Sequence, residues 1–285
     1  MIIIDNILLL FYNIKISKYV SNNDKKLYFQ LNNNNYIIRS IDYFDLDMVS
    51  TIENNKIFNI IIQNKFQNMI STYNDKKYVL MKIRTNIQNK KINIEDLIYI
   101  LSLNNSYIKK NYYIIWLQKI DYIEKYIKDY DLSDYDINYY LGLSNIALNI
   151  VKKIDFNNIT CGLTYKRFYN INYIFDLLDP FNLCYGAKVD ALSEFIKYSF
   201  FYKKEKIKYE AIFNLNLNIN DYILFIARLI FPTYFFDLLE ENNISEKYSN
   251  IINSIDRYKE YLKEIIYKIK KRYNLSFLEY IINLL

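Results

Sequence analysis

The chain has 285 residues, 52% of them hydrophobic, with 37 Lys and Arg against 31 Asp and Glu and a formal net charge of +6. That composition belongs to a globular chain with ample core, forming one large domain or two tightly packed lobes, and excludes a disordered one. Histidine is absent, which excludes Ser-His-Asp and Cys-His catalysis and imidazole metal ligands; Cys161 and Cys184 build neither a cysteine-only zinc site nor a disulfide framework, and three scattered glycines build no phosphate-cradling loop.

The amino end, MIIIDNILLLFY, lacks the basic leader and small-residue cleavage site of a signal peptide. KISKYV, KLYFQL and NYIIRSI then read as short strands, and the NNNN between Leu31 and Tyr36 suits a hairpin, since Asn tolerates left-handed backbone angles. DLDMVSTIENNKIFNIIIQN carries apolar residues at helical spacing behind an acidic start and predicts a helix. FQNMIST and KYVLMKIR, joined by YNDK, predict two more strands.

From Ile94 the periodicity turns helical. NIEDLIYILSL has an Asn cap and an acidic first turn, and YYIIWLQKIDYIEKYIKDY carries Trp116, Ile120, Ile123 and Ile127 on neighbouring turns. SDYDINYYLGLSNIALNIVKKI is a further helix with Ser133 as its expected cap. NITCGLTYKRF and NYIFDLL predict short strands, and DPFNLCYGAKVDALSEFIKYSFF predicts a strand, a turn at Gly186 and an amphipathic helix. Helices fill the remainder. The apolar stretch Tyr222 to Leu239 holds Arg228 and Pro232, which favours a buried core helix over a membrane span.

No Pro/Gly/Ser linker and no repeat divides the chain. The order predicts an α+β arrangement: a strand-rich lobe over residues 1–90 with one helix among its strands, and a larger helical lobe over residues 91–285, meeting near Thr85 to Lys91. Without a disulfide framework, a reducing cytoplasm is the default location. The basic run KEIIYKIKKRY offers charge to phosphates and aromatics to bases, but a solvated helix face accounts for it equally, so nucleic acid is not the expected partner.

Five stretches in order resemble one bacterial branch of the protein-kinase-like fold. Trp116, Lys119, Asp121 and Glu124 match a Trp-x-x-Lys-x-Asp-x-x-Glu helix, and YYLGLSNIAL matches a Tyr-Tyr-x-Gly helix. LTYKRF matches a short basic strand-turn, DALSEFIKYSFF an Asp-Ile-Ala-Glu-Tyr-Ile helix, and YILFIARLIFPTYFFDL an Ala-Arg-Leu-Leu-Phe-Pro helix. The branch is that of the spore-coat-associated kinase-like proteins (CotS/YutH type), related to aminoglycoside and choline phosphotransferases. The resemblance implies a two-lobed fold, with a small antiparallel-sheet N-lobe carrying one helix and a larger, mostly helical C-lobe.

It also implies a site to be read against His-Gly-Asp-x-x-x-x-Asn, in which an Asp takes the acceptor's proton, an Asn and a second Asp hold Mg²⁺, and a strand Lys grips phosphates. On that pattern Tyr165 falls on the His, Arg167 on the catalytic Asp, Asn172 on the metal-binding Asn, Gly186 on the second Asp and Arg39 on the strand Lys. Arginine stays protonated and accepts no hydroxyl proton, and glycine has no side chain for a metal. Arg39, Lys166, Arg167 and Asn172 are thus candidates for binding an anion or nucleotide; Asp176, Asp179 and Asp190 are the fallback carboxylates. Asp190 is expected to cap its helix, Trp116 to anchor lobe packing, Cys184 to fill core, and Arg228 to pair with Glu194 or Asp237.

The leading expectation is a kinase-like protein without catalysis or cofactor, acting by binding or scaffolding toward a protein partner or a coat layer. The location implied is the cytoplasm, or the mother cell and spore coat where the family role is kept. A small-molecule phosphotransferase using displaced carboxylates and Mg-ATP is the second expectation, and a basic structural or nucleic-acid-associated protein the third.

Overall fold

A computed structural model describes residues 2–16, 19–23, 26–41, 46–53, 55–84, 90–103, 110–129, 135–165, 167–169, 171–241 and 246–285. Its elements are α1 (Ile2–Tyr12), β1 (Tyr19–Asn23), β2 (Lys26–Leu31), β3 (Asn34–Ile41), α2 (Leu46–Glu53), β4 (Ile60–Ile62), β5 (Ser71–Tyr73) and β6 (Lys76–Lys82). There follow α3 (Ile94–Ser102), α4 (Tyr112–Asp129), α5 (Tyr135–Val151), β7 (Cys161–Tyr165), α6 (Ile174–Leu177), β8 (Leu183–Ala187) and α7 (Lys188–Phe201). The last helices are α8 (Ile219–Ile230), α9 (Thr233–Glu240), α10 (Glu246–Ile252), α11 (Ile255–Tyr273) and α12 (Phe277–Leu284). The chain forms two compact units, one of Met1–Ile92 with Asn170–Cys184, the other of Asn93–Tyr169 with Tyr185–Leu285.

The first unit is an antiparallel sheet in the order β1-β2-β3-β6-β4, with β5 also on β6. Two hairpins set its register. Asn32 and Asn33 between β2 and β3, and Asn74 and Asp75 between β5 and β6, all have φ between 48° and 61°, the left-handed region that two-residue hairpin turns demand. Leu27, Phe29, Ile38, Tyr78 and Leu80 share one face of the sheet and bury against Ile7 and Leu8 of α1. The amino-terminal stretch is thus a helix that covers this face.

Two local expectations fail here. The helix predicted from Asp45 to Asn64 stops at Glu53, and Ile60, Ile61 and Ile62 pair with Leu80, Met81 and Lys82 of β6. Sheet pairing overrides helical spacing in that isoleucine run. The strand predicted over NYIFDLL is instead the short helix α6, because Asp176 accepts from the backbone N–H groups of Asn172 and Tyr173 and closes a turn.

The second unit is helical and contains β7 and the later part of β8. α3 begins with the expected cap: Asn93 accepts from the Asp96 N–H and Asp96 accepts from the Asn93 N–H, a reciprocal capping box. Asn93→Ala is expected to cost about 1 kcal/mol in urea unfolding. Ser133, the cap expected for α5, lies outside the described residues. α7 is not amphipathic: all fourteen of its residues are buried, against α3, α8 and β7. It is a central helix with apolar and polar sides both enclosed.

The apolar stretch from Tyr222 to Leu239 is two helices, α8 and α9, bent by 41°. Pro232 cannot donate a backbone hydrogen bond and breaks the run. Together the pair has the length and composition of a broken span, yet nearly all its residues are buried within the second unit, as core helices are. Among the described residues no single helix is long and apolar enough to cross a membrane. Trp116 stacks on Phe231 with ring centroids 4.4 Å apart and meets Tyr112 edge-on, so it anchors packing inside the helical unit.

Candidate functional site

The polar centre of the first unit begins with a conflict written into the sheet. Lys26 and Arg39 are direct cross-strand partners in the β2-β3 register, so two cations stand side by side on one face. Like charges so placed repel, and both are largely withdrawn from water. The segment from Asn172 to Asn182 supplies the answer. Asp176 Oδ1 accepts from Lys26 Nζ at 2.8 Å and from the Tyr28 hydroxyl at 3.0 Å. Asp179, whose side chain is 0% exposed, accepts from Arg39 Nη1 at 2.7 Å and from the Phe181 N–H at 2.9 Å.

Asn182 completes the clamp. Its Oδ1 accepts from Arg39 Nη1 at 2.6 Å, and its Nδ2 donates to the Asp176 carbonyl at 2.8 Å. Backbone hydrogen bonds from Ile92 to Asn172, from Ile174 to Lys90 and from Asn59 to Leu178 knit the same segment to the rest of the unit. Burial opposes the charge on Arg39, but Asp179 and Asp176 outweigh it and raise its pKa. Burial and Asp176 likewise push the Tyr28 hydroxyl well above its ordinary value, so it remains a donor. Arg39 is therefore no solvated strand residue but the hub of this cluster.

Asn172 has an exposed side chain, and its backbone carries its part in the clamp. Lys166 lies outside the described residues. Cys184, expected as core, is half-buried.

Arg167 belongs to a second cluster, inside the helical unit. Asp190, Glu194 and Lys197 recur at helical spacing along α7, facing Arg228 of α8. Arg228 pairs with Asp190 at 3.2 Å and with Glu194 at 3.5 Å; Lys197 pairs with Glu194 at 3.2 Å. Arg167 reaches Asp237 at 3.2 Å and Glu194 at 3.7 Å. Of the two carboxylates expected for Arg228, Glu194 is the partner, and Asp237 serves Arg167 instead.

Asp190 does not cap its helix. The N-cap is Ala187, and the Asp190 carboxylate accepts from the Tyr112 hydroxyl at 2.7 Å while facing Arg228. Burial works against the charge on Glu194, but Lys197, Arg167 and Arg228 overcome it and hold its pKa below the usual carboxylate range. Lys197 is pushed down to about 8 by burial, with the two guanidiniums adding to the effect. Its ammonium is held by the Arg228 carbonyl at 2.9 Å and Thr233 Oγ1 at 3.0 Å. Glu194 and Asp237, with Glu194 the stronger, raise the pKa of Arg167 against the opposing effect of burial. Tyr165, on the expected His position, is fully buried with its ring against Phe168.

Gly186 is not in a turn but in β8, without a positive φ. A Cβ there would stand 3.0 Å from Lys110 Nζ, 3.1 Å from Thr164 Cγ2 and 3.3 Å from Asp190 Oδ2. Close packing, not backbone freedom, is what a side chain would meet at this position. Among the described residues no three Asp, Glu or Cys side chains gather as a metal-binding group.

The basic helix α11 carries its charge in pairs: Lys259 with Asp256, Lys263 with Glu260, Lys268 with Glu210 and Lys270 with Glu279. Arg272 lies over the Phe213 ring. Much of this helix face is thus laced by ion pairs with neighbouring carboxylates.

No family model and no curated protein matches the sequence. Solved structures do match it. An aminoglycoside phosphotransferase from Alicyclobacillus acidocaldarius aligns over 90% of this chain and 93% of its own, with a TM-score of 0.61 at 8% identity. A thermostable mutant of the aminoglycoside phosphotransferase APH(4)-Ia, in its apo form, aligns over 91% and 98%, with a TM-score of 0.56 at 9% identity. Spectinomycin phosphotransferase APH(9)-Ia, in complex with ADP and spectinomycin, aligns over 92% and 93%, with a TM-score of 0.50 at 13% identity. The chain has the protein-kinase-like fold of these enzymes: a small antiparallel-sheet lobe and a larger helical lobe.

Proposed function

We propose that this is a kinase-fold protein whose polar centre has become internal structure, and that it acts by binding or scaffolding and not by phosphoryl transfer. The observation that carries this reading is the Arg39–Asp179 pair. The strand cation that would grip a phosphate and the fallback carboxylate that would hold a metal neutralise each other at 2.7 Å, with Asp179 fully buried. Asp176 is engaged on both oxygens, by Lys26 and Tyr28 on one and by two backbone N–H groups on the other. Mg²⁺ needs several oxygen ligands with charge to spare, and these donors do not fit it. In the helical unit, the residue standing for the proton acceptor is a guanidinium held by Asp237 and Glu194. A cation of raised pKa takes no proton from an alcohol.

The partner proposed is another protein or a coat layer, the role implied by the resemblance to spore-coat-associated kinase-like proteins. Phosphoryl transfer is the competing reading, favoured by the fold this chain shares with aminoglycoside phosphotransferases over about nine-tenths of its length. A thermal-shift titration with ATP, with and without Mg²⁺, separates the two. A ligand at a hundred times its dissociation constant stabilises a fold by about 2.7 kcal/mol, a shift of several degrees. The expected result is no Mg²⁺-dependent shift. A shift that requires Mg²⁺ and disappears in Asp179→Asn overturns the proposal in favour of catalysis.

A further inference from the structure

Helix α1 presents a surface that neither charge cluster explains. Its sequence, IIIDNILLLFY, is apolar on nearly every side, Asp5 and Asn6 aside. A helix of that kind belongs in an interior, where each side has a cover. Here only one side has one: Ile7 and Leu8 bury against the sheet. Ile3 and Leu10 stand two turns apart along the other side, with Leu9 beside Leu10. These three and Phe66 are between 48% and 60% exposed.

Phe66 extends the patch at the carboxyl end of α1. The Phe11 carbonyl accepts from the Lys65 N–H at 2.8 Å, and the Phe11 and Phe66 rings meet edge-on with centroids 6.3 Å apart. Asn64 Oδ1 accepts from the Phe66 and Asn68 N–H groups at 2.9 and 3.1 Å, which fixes the turn that carries this aromatic. The rim is mainly cationic. Lys15 follows α1 beyond the left-handed Asn13, and the Lys65 ammonium lies 5.2 Å from the Phe66 ring centroid; both side chains are exposed. Lys76 is exposed as well, opposite Tyr73, which packs against the core beneath α1. The acidic side chains of this region are Asp5, half-buried, and Asp75 in the β5-β6 turn.

A second copy docked here by two-fold symmetry would set this cationic rim against itself. An anionic lipid surface offers the opposite charge, and an apolar layer that asks no hydrogen bonds of a face with few to give. With 11 residues, α1 reaches about 16 Å, roughly half a hydrocarbon core, so it lies on a bilayer and does not cross one. We propose that the outer side of α1 and the Phe66 turn dock on an anionic lipid surface. Ile3, Leu9, Leu10 and Phe66 enter the apolar boundary, while Lys15 and Lys65 reach the headgroup phosphates. The surface is independent of Arg39 and Asp179, so this proposal and that of lost catalysis fail separately.

Co-sedimentation of the full chain with vesicles of phosphatidylcholine, and of phosphatidylcholine mixed with phosphatidylserine, tests it. The expected result is binding to the mixed vesicles that salt weakens, and much less to the neutral ones. Leu10→Asn and Phe66→Asn are each expected to lower the partition coefficient about fivefold or more, the effect of withholding a half-exposed apolar side chain from the bilayer. Lys65→Gln is expected to lower it about fivefold on the mixed vesicles alone. All three positions are exposed, so unchanged urea midpoints show the fold intact. Tyr280→Asn, at an exposed position of α12 in the other unit, is expected to leave binding unchanged. No binding to either vesicle, equal binding to both, or binding unaltered in the Leu10 and Phe66 variants overturns the proposal. A dimer in sedimentation velocity that Leu10→Asn disperses, with no vesicle binding, overturns it in favour of a second copy.

Discussion

Glu194→Gln is expected to lower the unfolding free energy by about 3–5 kcal/mol, the cost of removing one partner from a buried ion cluster. Glu194 is 0% exposed and stands between Lys197, Arg167 and Arg228. Arg167 keeps Asp237 and Arg228 keeps Asp190 after the change, but Lys197 loses the carboxylate it pairs with and must shed its proton or stay charged in the core. Lys197→Met in the Glu194→Gln background is therefore expected to restore part of the loss, a coupling that a double-mutant cycle in urea reads directly. A loss below about 1 kcal/mol would show that the surrounding cations repack without the carboxylate.

The same cluster sets a dependence on pH, with opposite signs at its two ends. The pKa of Glu194 is lowered in the fold, so its contribution is fully present above the ordinary carboxylate value near 4.3 and is lost as pH falls through the depressed one. Lys197 is lowered to about 8 from 10.5, so between those values the unfolded chain holds a proton that the fold has released. Stability from this group rises with pH across that window. The difference between the wild type and Lys197→Met, followed from pH 7 to about pH 10, isolates it from the tyrosines.

The second large effect belongs to Arg39. Arg39→Met removes both hydrogen bonds of Nη1 and leaves the fully buried Asp179 carboxylate without its cation, again costing about 3–5 kcal/mol. Adding Asp179→Asn to that variant removes the stranded charge, and recovery of a substantial share of the loss is expected. Arg39→Lys keeps the charge but not the rigid, planar guanidinium that places Nη1 between Asp179 and Asn182, so a smaller cost is expected, about 1–2 kcal/mol. Chemical denaturation of five proteins, the wild type, these three variants and Asp179→Asn alone, measures all of these costs. If Arg39→Met and Asp179→Asn cost the same singly and together add fully, the pair is not coupled and the clamp has no energetic basis.

The strand that presents Arg39 and the segment that presents Asp179 are far apart in sequence and meet in the clamp. With each charge answering the other, the segment from Asn172 to Asn182 becomes part of the sheet unit's own structure. A buried pair of this kind contributes little net stability compared with apolar packing, while removing one partner alone is costly.

What the sequence determined alone is local in origin. KLYFQL and the strand after it lie where their alternation places them, and Asn32 and Asn33 take the left-handed angles that turn requires. Asn93 and Asp96 cap α3 three residues apart, and the absence of histidine excludes imidazole chemistry whatever the fold. Such features depend on neighbours a few residues away, which any reader of the chain can see. The tertiary structure decided the rest because the deciding partners are distant in sequence. Ile60 to Ile62 become a strand only because β6 offers an edge, and Asp176 closes a helix where a strand was expected while holding Lys26, 150 positions away. Arg39 and Asp179 meet across 140 positions. Asp190 turns from the cap expected of it to Tyr112 and Arg228 because α7 is enclosed on every side. A buried charge must find its counter-charge wherever the fold brings one, and no local pattern records where that is.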